Sequence, residues 1–239
     1  MFDFSNKYAV VTGGRQGIGE AIVRRFIAEQ ISGVAILDIQ DSRALAEELD
    51  PSGERLLPIV CDIADRDAVA AAFRQIYQQF GRVDFLINNA GIARDGLFHT
   101  MEDEQWETVL DVNLKGAYHC TRQVINPMRE QASGRIVFLS SIAIYGVANE
   151  SNYSASKGAL YTLTKTLARE QMRHNITVNC VIPGPIDTAL FQYVSGFNPN
   201  PNVQRVGKPE DVASLVCYLC TDEAYFINGA RIDINGGLQ

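Results

Sequence analysis

The stretch from Tyr8 to Glu29 narrows the possible architectures more than any other part of this sequence. Tyr8-Ala-Val-Val-Thr12 is a short, β-branched run that reads as a buried strand. It leads directly into Gly13-Gly14-Arg15-Gln16-Gly17-Ile18-Gly19. From Glu20 to Glu29, Ala21, Ile22, Val23, Phe26 and Ile27 then recur at helical spacing. Strand, glycine-rich turn and helix, in that order, is the setting in which glycines serve a dinucleotide. They allow a tight turn and a close backbone approach to a pyrophosphate, which rests on the helix N-terminus. The spacing is Gly-x-x-x-Gly-x-Gly rather than the commoner Gly-x-Gly-x-x-Gly, and the competing reading is a purely structural turn.

The alternation continues along the chain. Strands are expected at Gly33–Asp38, Leu56–Cys61, Val83–Ile87, Gly134–Leu139, Ile176–Ile182 and Ala230–Ile234. Helices are expected at Ser42–Leu49, Ala64–Phe80, Gln105–Glu130, Asn152–Met172 and Pro209–Leu219, with Pro127 kinking or ending the third of these. Alternation at these lengths implies right-handed βαβ units, a parallel sheet and an α/β fold. Ligands then gather at the carboxyl ends of the strands, where the glycine-rich turn, Asp38, Asp62 and Asn88-Asn89-Ala90-Gly91 all fall. Asp38 stands where such a fold places the acid that accepts hydrogen bonds from an adenine ribose. Residues 189–206, with Phe191, Tyr193 and Phe197 among Asn-Pro pairs, read as a flap. No repeat, low-complexity segment or linker is visible, so 1–239 is read as one domain.

Tyr153-Ser-Ala-Ser-Lys157 lies in the helix of 152–172. Positions four apart face the same way, so Tyr153 and Lys157 project together. A phenol with a pKa near ~10 is a poor proton carrier at neutral pH. An ammonium beside it favours the phenolate and lowers that pKa, giving an acid/base pair for a hydroxyl or carbonyl. A solvated helix face is the competing reading. Asn113 sits inside a helix, where Asn is a mediocre residue; it is either a polar group on a packed face or one placed for a purpose.

Composition excludes several classes. The net charge of -7 argues against nucleic acid or an anionic membrane as partner. No apolar run is long enough to span a bilayer, and the N-terminus lacks a signal core, so the expected setting is cytoplasmic. The five cysteines are scattered, and Cys217 and Cys220 fall in an apolar helical segment, so they read as core thiols rather than a redox pair. His99, His119 and His174 have no companions at ligand spacing, so no metal site is expected.

Taken in order, Thr12-Gly13-Gly14-Arg-Gln-Gly17-Ile-Gly19, Asn88-Asn89-Ala90-Gly91, Asn113-Leu-Lys-Gly116, Ser140-Ser141, Tyr153-Ser-Ala-Ser-Lys157 and Pro183-Gly184-Pro-Ile-Asp-Thr188 resemble the short-chain dehydrogenase/reductase family from Lys7 to Gly237. The resemblance implies a three-layer, doubly wound Rossmann fold with a seven-stranded parallel sheet, nicotinamide-dependent oxidoreduction and a homotetramer. It implies a tetrad of Asn113, Ser141, Tyr153 and Lys157, with Ser140 a lesser candidate because the gap from Ser141 to Tyr153 is one residue shorter than usual. In that reading Tyr153 is the general acid/base, Ser141 steadies the carbonyl oxygen, Lys157 lowers the Tyr153 pKa and holds ribose hydroxyls, and Asn113 holds a water. Ile186 and Thr188 would meet the nicotinamide, with Pro183 and Gly184 beside them. Asp62 and Ile63 would meet adenine, and Asn89, with Ala90 and Gly91, the adenine ribose region. The expected cofactor is NAD, because Asp38 would repel an NADP phosphate and neither Gln16 nor Ile39 is basic; Arg15 is the one cation nearby.

The resulting expectation is an NAD-dependent enzyme interconverting a secondary alcohol and a ketone. Ser141, Ile142, Ile144, Tyr145, Phe191, Tyr193 and Phe197 would form a mostly apolar substrate wall suited to a small cyclic or aromatic ketone. The alternatives are a 3-oxoacyl thioester reductase and, from another class, a non-catalytic dinucleotide-binding redox sensor. A sensor could dispense with the tetrad.

Overall fold

The computed structural model describes residues 2–189 and 205–238. Strands β1 (Tyr8–Thr12), β2 (Gly33–Asp38), β3 (Leu56–Val60), β4 (Phe85–Asn88), β5 (Gly134–Leu139), β6 (Ile176–Pro183) and β7 (Arg231–Ile234) form one sheet of 7 strands in the order β3-β2-β1-β4-β5-β6-β7. Every pairing is parallel. Helices α1 (Gly17–Ala28), α2 (Arg43–Leu49), α3 (Arg66–Phe80), α4 (Asp103–Leu110), α5 (Ala117–Glu130), α6 (Ser151–Gln171) and α7 (Pro209–Leu219) cover its faces. This is the expected doubly wound Rossmann arrangement.

Two apolar layers sandwich the sheet. On one face α1, α2 and α7 bury Ile22, Phe26, Ala46, Val212 and Val216 against β1, β2 and β6. Phe26 and Phe85 stack there and Phe4 meets both edge-on, with centroids 5.3–5.8 Å apart. On the other face α3, α5 and α6 contribute Val69, Phe73, Ile76, Val124 and Leu160. Cys217 and Cys220 are buried and free, as the core reading requires. Among the described residues no helix is long and apolar enough to cross a membrane, and no His, Cys, Asp or Glu group could hold a metal ion.

Three expectations about elements need correction. Helix α1 begins at Gly17, so the last glycines of the turn are already helical. The single helix expected over 105–130 is two helices joined by a π-helical turn at Asp111–Gly116, with Asn113 inside it. Pro127 neither ends nor breaks α5, which runs on to Glu130. A proline lacks the N–H that would bond the carbonyl four residues back. That carbonyl belongs to Gln123, and the Tyr77 hydroxyl on α3 donates to it at 3.2 Å. The orphaned acceptor is satisfied from the neighbouring helix.

Candidate active site

The sheet reverses its winding between β1 and β4, the place where doubly wound folds open a crevice at the strand ends. Here a cleft of about 540 Å³ runs from Asp38 and Ile39, past the glycine-rich turn, to Tyr153 and Val147. Of the residues expected to hold a dinucleotide, only Gly19 does not line it; it lies behind the turn. A Cβ on Gly19 would stand 2.0 Å from the Gly13 carbonyl oxygen, so this glycine lets α1 press against the turn. Gly13 has φ +63°, and a Cβ there would stand 2.9 Å from the Ala90 Cα. The floor of the cleft is therefore bare backbone at the start of a helix, the surface a pyrophosphate needs. The residues fit an extended dinucleotide along their whole length.

Asn89 lines the cleft and also holds this floor. Its side-chain amide donates to the carbonyls of Thr12 and Gly13, both at 2.9 Å. The Thr12 hydroxyl accepts from the backbone N–H groups of Asn89 and Ala90, each at 3.0 Å. At the far end, the Asp38 carboxylate accepts from the backbone N–H of Arg15 at 3.2 Å and of Gln40 at 3.0 Å. The Arg15 Nε donates to the Asp41 carbonyl at 3.2 Å. Asp41 also pairs with Arg43. Asp62 lines the cleft while its side chain caps the Ala64 N–H at 2.9 Å.

At the other end the candidate proton-transfer groups meet. The Ser140 hydroxyl is buried and donates to the Lys157 carbonyl at 2.8 Å, which ties β5 to α6. Ser141 begins a short 3₁₀ turn over Ile142–Tyr145, accepts from the Ala143 N–H at 3.2 Å, and stands near enough to Tyr153 to oppose the rise of its pKa. Of the two serines, then, Ser141 is the one at the phenol. Lys157 is 3% exposed, and its ammonium lies 5.6 Å from the centre of the Tyr153 ring and donates to the Leu139 carbonyl at 2.9 Å.

The expected lowering of the Tyr153 pKa by Lys157 is not what this arrangement produces. Burial, chiefly, pushes the phenol up to about 12, with Glu150 and Asp95 adding to the rise and the nearby Ser141 hydroxyl opposing it. Burial also pushes Lys157 down to about 8. Desolvation penalises the charged form of each, so the pair meets as a neutral phenol and a weakened ammonium.

Asn113 is behind the cleft, not in it. Its Oδ1 accepts from the Ile92 N–H at 2.8 Å, and its Nδ2 donates to the Ile92 carbonyl and the Ser156 hydroxyl, both at 3.0 Å. With both donors and one lone pair of the oxygen engaged, the side chain pins the segment after β4 to α6. The π turn widens the helix at this position, a distortion common at functional sites.

The substrate wall differs most from expectation. Ile142 lines the cleft. Tyr145 points away, 53% exposed, donating to Asp233 on β7 at 2.8 Å with the Arg231 guanidinium 5.4 Å above its ring. Ile144 packs against the core under α6. Phe191, Tyr193 and Phe197 lie outside the described residues. Ala93, Val147 and Glu150, not anticipated from the sequence, also line this end. Glu150 is three residues before Tyr153, one helical turn away, and that spacing is the signal that could have found it.

A family model described as short chain dehydrogenase matches residues 7–198. The short-chain reductase protein NovJ of Streptomyces niveus is 38% identical over 96% of this chain and 92% of its own length. A 3-oxoacyl-[acyl-carrier-protein] reductase FabG of Thermotoga maritima is 36% identical over 97% of both chains. The crystal structure of levodione reductase superposes with a TM-score of 0.91 at 29% identity, over 98% of each chain.

Proposed function

Because the chain belongs to the short-chain dehydrogenase/reductase family, we propose that this oxidoreductase uses NAD to interconvert a secondary alcohol and a ketone, as a single domain and a homotetramer. The observation that carries the reading is the meeting of Ser141, Tyr153 and Lys157 at the open end of a cleft whose floor is the glycine-rich turn. A protein that only sensed a dinucleotide would need the floor but not the three.

When bound, the nicotinamide dinucleotide supplies or accepts the hydride. Asp38, Gly13, Gly17, Ile186 and Thr188 would hold it along the cleft. Tyr153, with its pKa raised to about 12, keeps its proton at neutral pH and is a donor to a carbonyl oxygen. Ser141 donates a hydrogen bond to the same oxygen and steadies the negative charge that grows there. Lys157, lowered to about 8, gives up a proton near neutral pH and re-protonates the phenol. Asp38 supports NAD over NADP because its carboxylate would face the extra phosphate, while Arg15 is engaged with the Asp41 carbonyl.

A 3-oxoacyl thioester reductase is the second reading, favoured by the similarity to the Thermotoga maritima reductase. A panel of cyclic and aromatic ketones, the matching alcohols and a 3-oxoacyl thioester, each followed by the absorbance of NADH or NADPH, separates the two. Turnover of a ketone with NADH is the expected result. Turnover of the thioester with NADPH alone favours the second reading, and a silent panel in wild type overturns both.

A further inference from the structure

Beyond Ser141, Tyr153 and Lys157, the described residues at the substrate end of the cleft are mostly apolar, and Glu150 is the one carboxylate among them. Glu150 lines this end beside Ile142, Ala143 and Val147, one helical turn before Tyr153. The backbone there is fixed from two sides. Gly96 bridges to Glu150 in parallel register, and its N–H donates to the Asn149 carbonyl at 2.8 Å. The buried Asn152 amide donates to the Arg94 carbonyl at 2.9 Å and the Gln105 carbonyl at 3.2 Å. Among the described residues no lysine or arginine pairs with Glu150. Burial first, and the Asp95 carboxylate second, push its pKa above the usual carboxylate range. A half-buried carboxylate pressed by another acid gains from a cation and loses further from an anion.

We propose that Glu150 sets the specificity of the substrate end, selecting ketones or alcohols that carry a protonated amine on an otherwise apolar body and rejecting anionic ones. This rests on the oxidoreductase reading above and narrows its substrate class. It also bears on the thioester reading, since an acidic carrier or a carboxylate-bearing acyl chain would meet like charge here.

The test uses three matched cyclic ketones that differ only in one ring substituent: an aminomethyl, a methyl or a carboxylate group. Each is titrated calorimetrically at pH 7 into the full-length protein saturated with its preferred nicotinamide dinucleotide. The expected order is ammonium tightest and carboxylate weakest, with at least about tenfold between neighbours, because even part of a contact-range charge interaction reaches that size. Glu150→Gln should collapse the series to within about threefold, and Glu150→Asp should restore part of it. Any other order in wild type, an unchanged order in Glu150→Gln, or no binding of the ammonium ketone overturns the proposal. Turnover of the methyl ketone, measured separately, reports on the oxidoreductase reading whatever the order of binding.

Discussion

The Lys157 ammonium donates to the Leu139 carbonyl at 2.9 Å and, among the described residues, pairs with no carboxylate. A buried cation with only a neutral partner is a burden on the native state. Its pKa, about 8 when folded against 10.5 for the ordinary side chain, means that the unfolded chain binds more protons. Native stability therefore rises with pH between those values, and the penalty is complete below about 8. Lys157→Met should raise the thermal midpoint at pH 7 by several degrees, at about 2–4 °C per kcal/mol for a chain of this size. The gain should shrink as pH climbs from 8 towards 10.5, and activity should be lost at every pH. Differential scanning calorimetry across that range checks it, and a lower midpoint in the variant at pH 7 contradicts it.

Ser140 and Ser141 are neighbours with different tasks. Ser141→Ala removes the hydroxyl beside Tyr153 and should lower kcat by about a hundredfold or more, the usual effect of losing one donor to a developing oxyanion. Ser140→Ala removes a buried hydrogen bond to the Lys157 carbonyl. It should lower the unfolding free energy by about 1–3 kcal/mol with a much smaller effect on kcat. Paired kinetics and urea melts distinguish them, and the opposite pattern would exchange their roles.

Cofactor choice should move with Asp38. Two unit charges at contact in a partly shielded site repel by about 4 kcal/mol, and ~1.4 kcal/mol is a factor of ten. Asp38→Ser should cut the NAD-to-NADP ratio of kcat/KM by about tenfold or more. Adding Arg15→Ala to that variant should reverse part of the change, because the Arg15 guanidinium is the cation beside Asp38 in the cleft that could turn to a phosphate. A ratio unmoved by Asp38→Ser would remove Asp38 from the argument.

Glu150 and Asp95 both raise the Tyr153 pKa, after burial. Glu150→Gln takes one of these charges away, so the phenol ionises at lower pH. Alcohol oxidation needs the ionised phenol, and its rate-against-pH profile should shift towards acid. Ketone reduction needs the protonated phenol and should fail at a lower pH than in wild type. Profiles of kcat/KM in both directions measure the shift, and a move towards base would mean that Glu150 does not act on Tyr153.

Much of this molecule was legible in its residues because its strands are short, β-branched and bounded by turns. The glycine-rich turn and the acid at the end of β2 fixed which strand ends would carry the cleft. Sequence position alone could not say where side chains point within the 3₁₀ turn of Ile142–Tyr145. Ile142 and Tyr145 look equivalent in the sequence, yet one lines the cleft and the other is drawn to Asp233 and Arg231 on a strand that follows far along the chain. The pKa shifts of the Tyr153 pair are hidden from the sequence for a related reason. Spacing showed that the two groups share a face, but the sign of the pKa shift depends on burial, a property of the whole packed domain. The π turn left no mark beyond one Asn in a helix, since an extra residue in a turn does not disturb apolar periodicity enough to see.

That Asn has a consequence for how the chain can drift over generations. Asn113 gives one acceptor and two donors to three partners on two segments. Asp offers acceptors where the Ile92 carbonyl needs a donor, Leu offers neither, and Gln carries the same groups one methylene too far out. A position that never meets the reacting atoms is thus among the hardest to replace. Exposed residues of the neighbouring helices, such as Arg122 on α5, are not enclosed in this way. Lineages descending from this chain should scatter there first and hold a carboxamide at 113 for as long as the cleft keeps its shape.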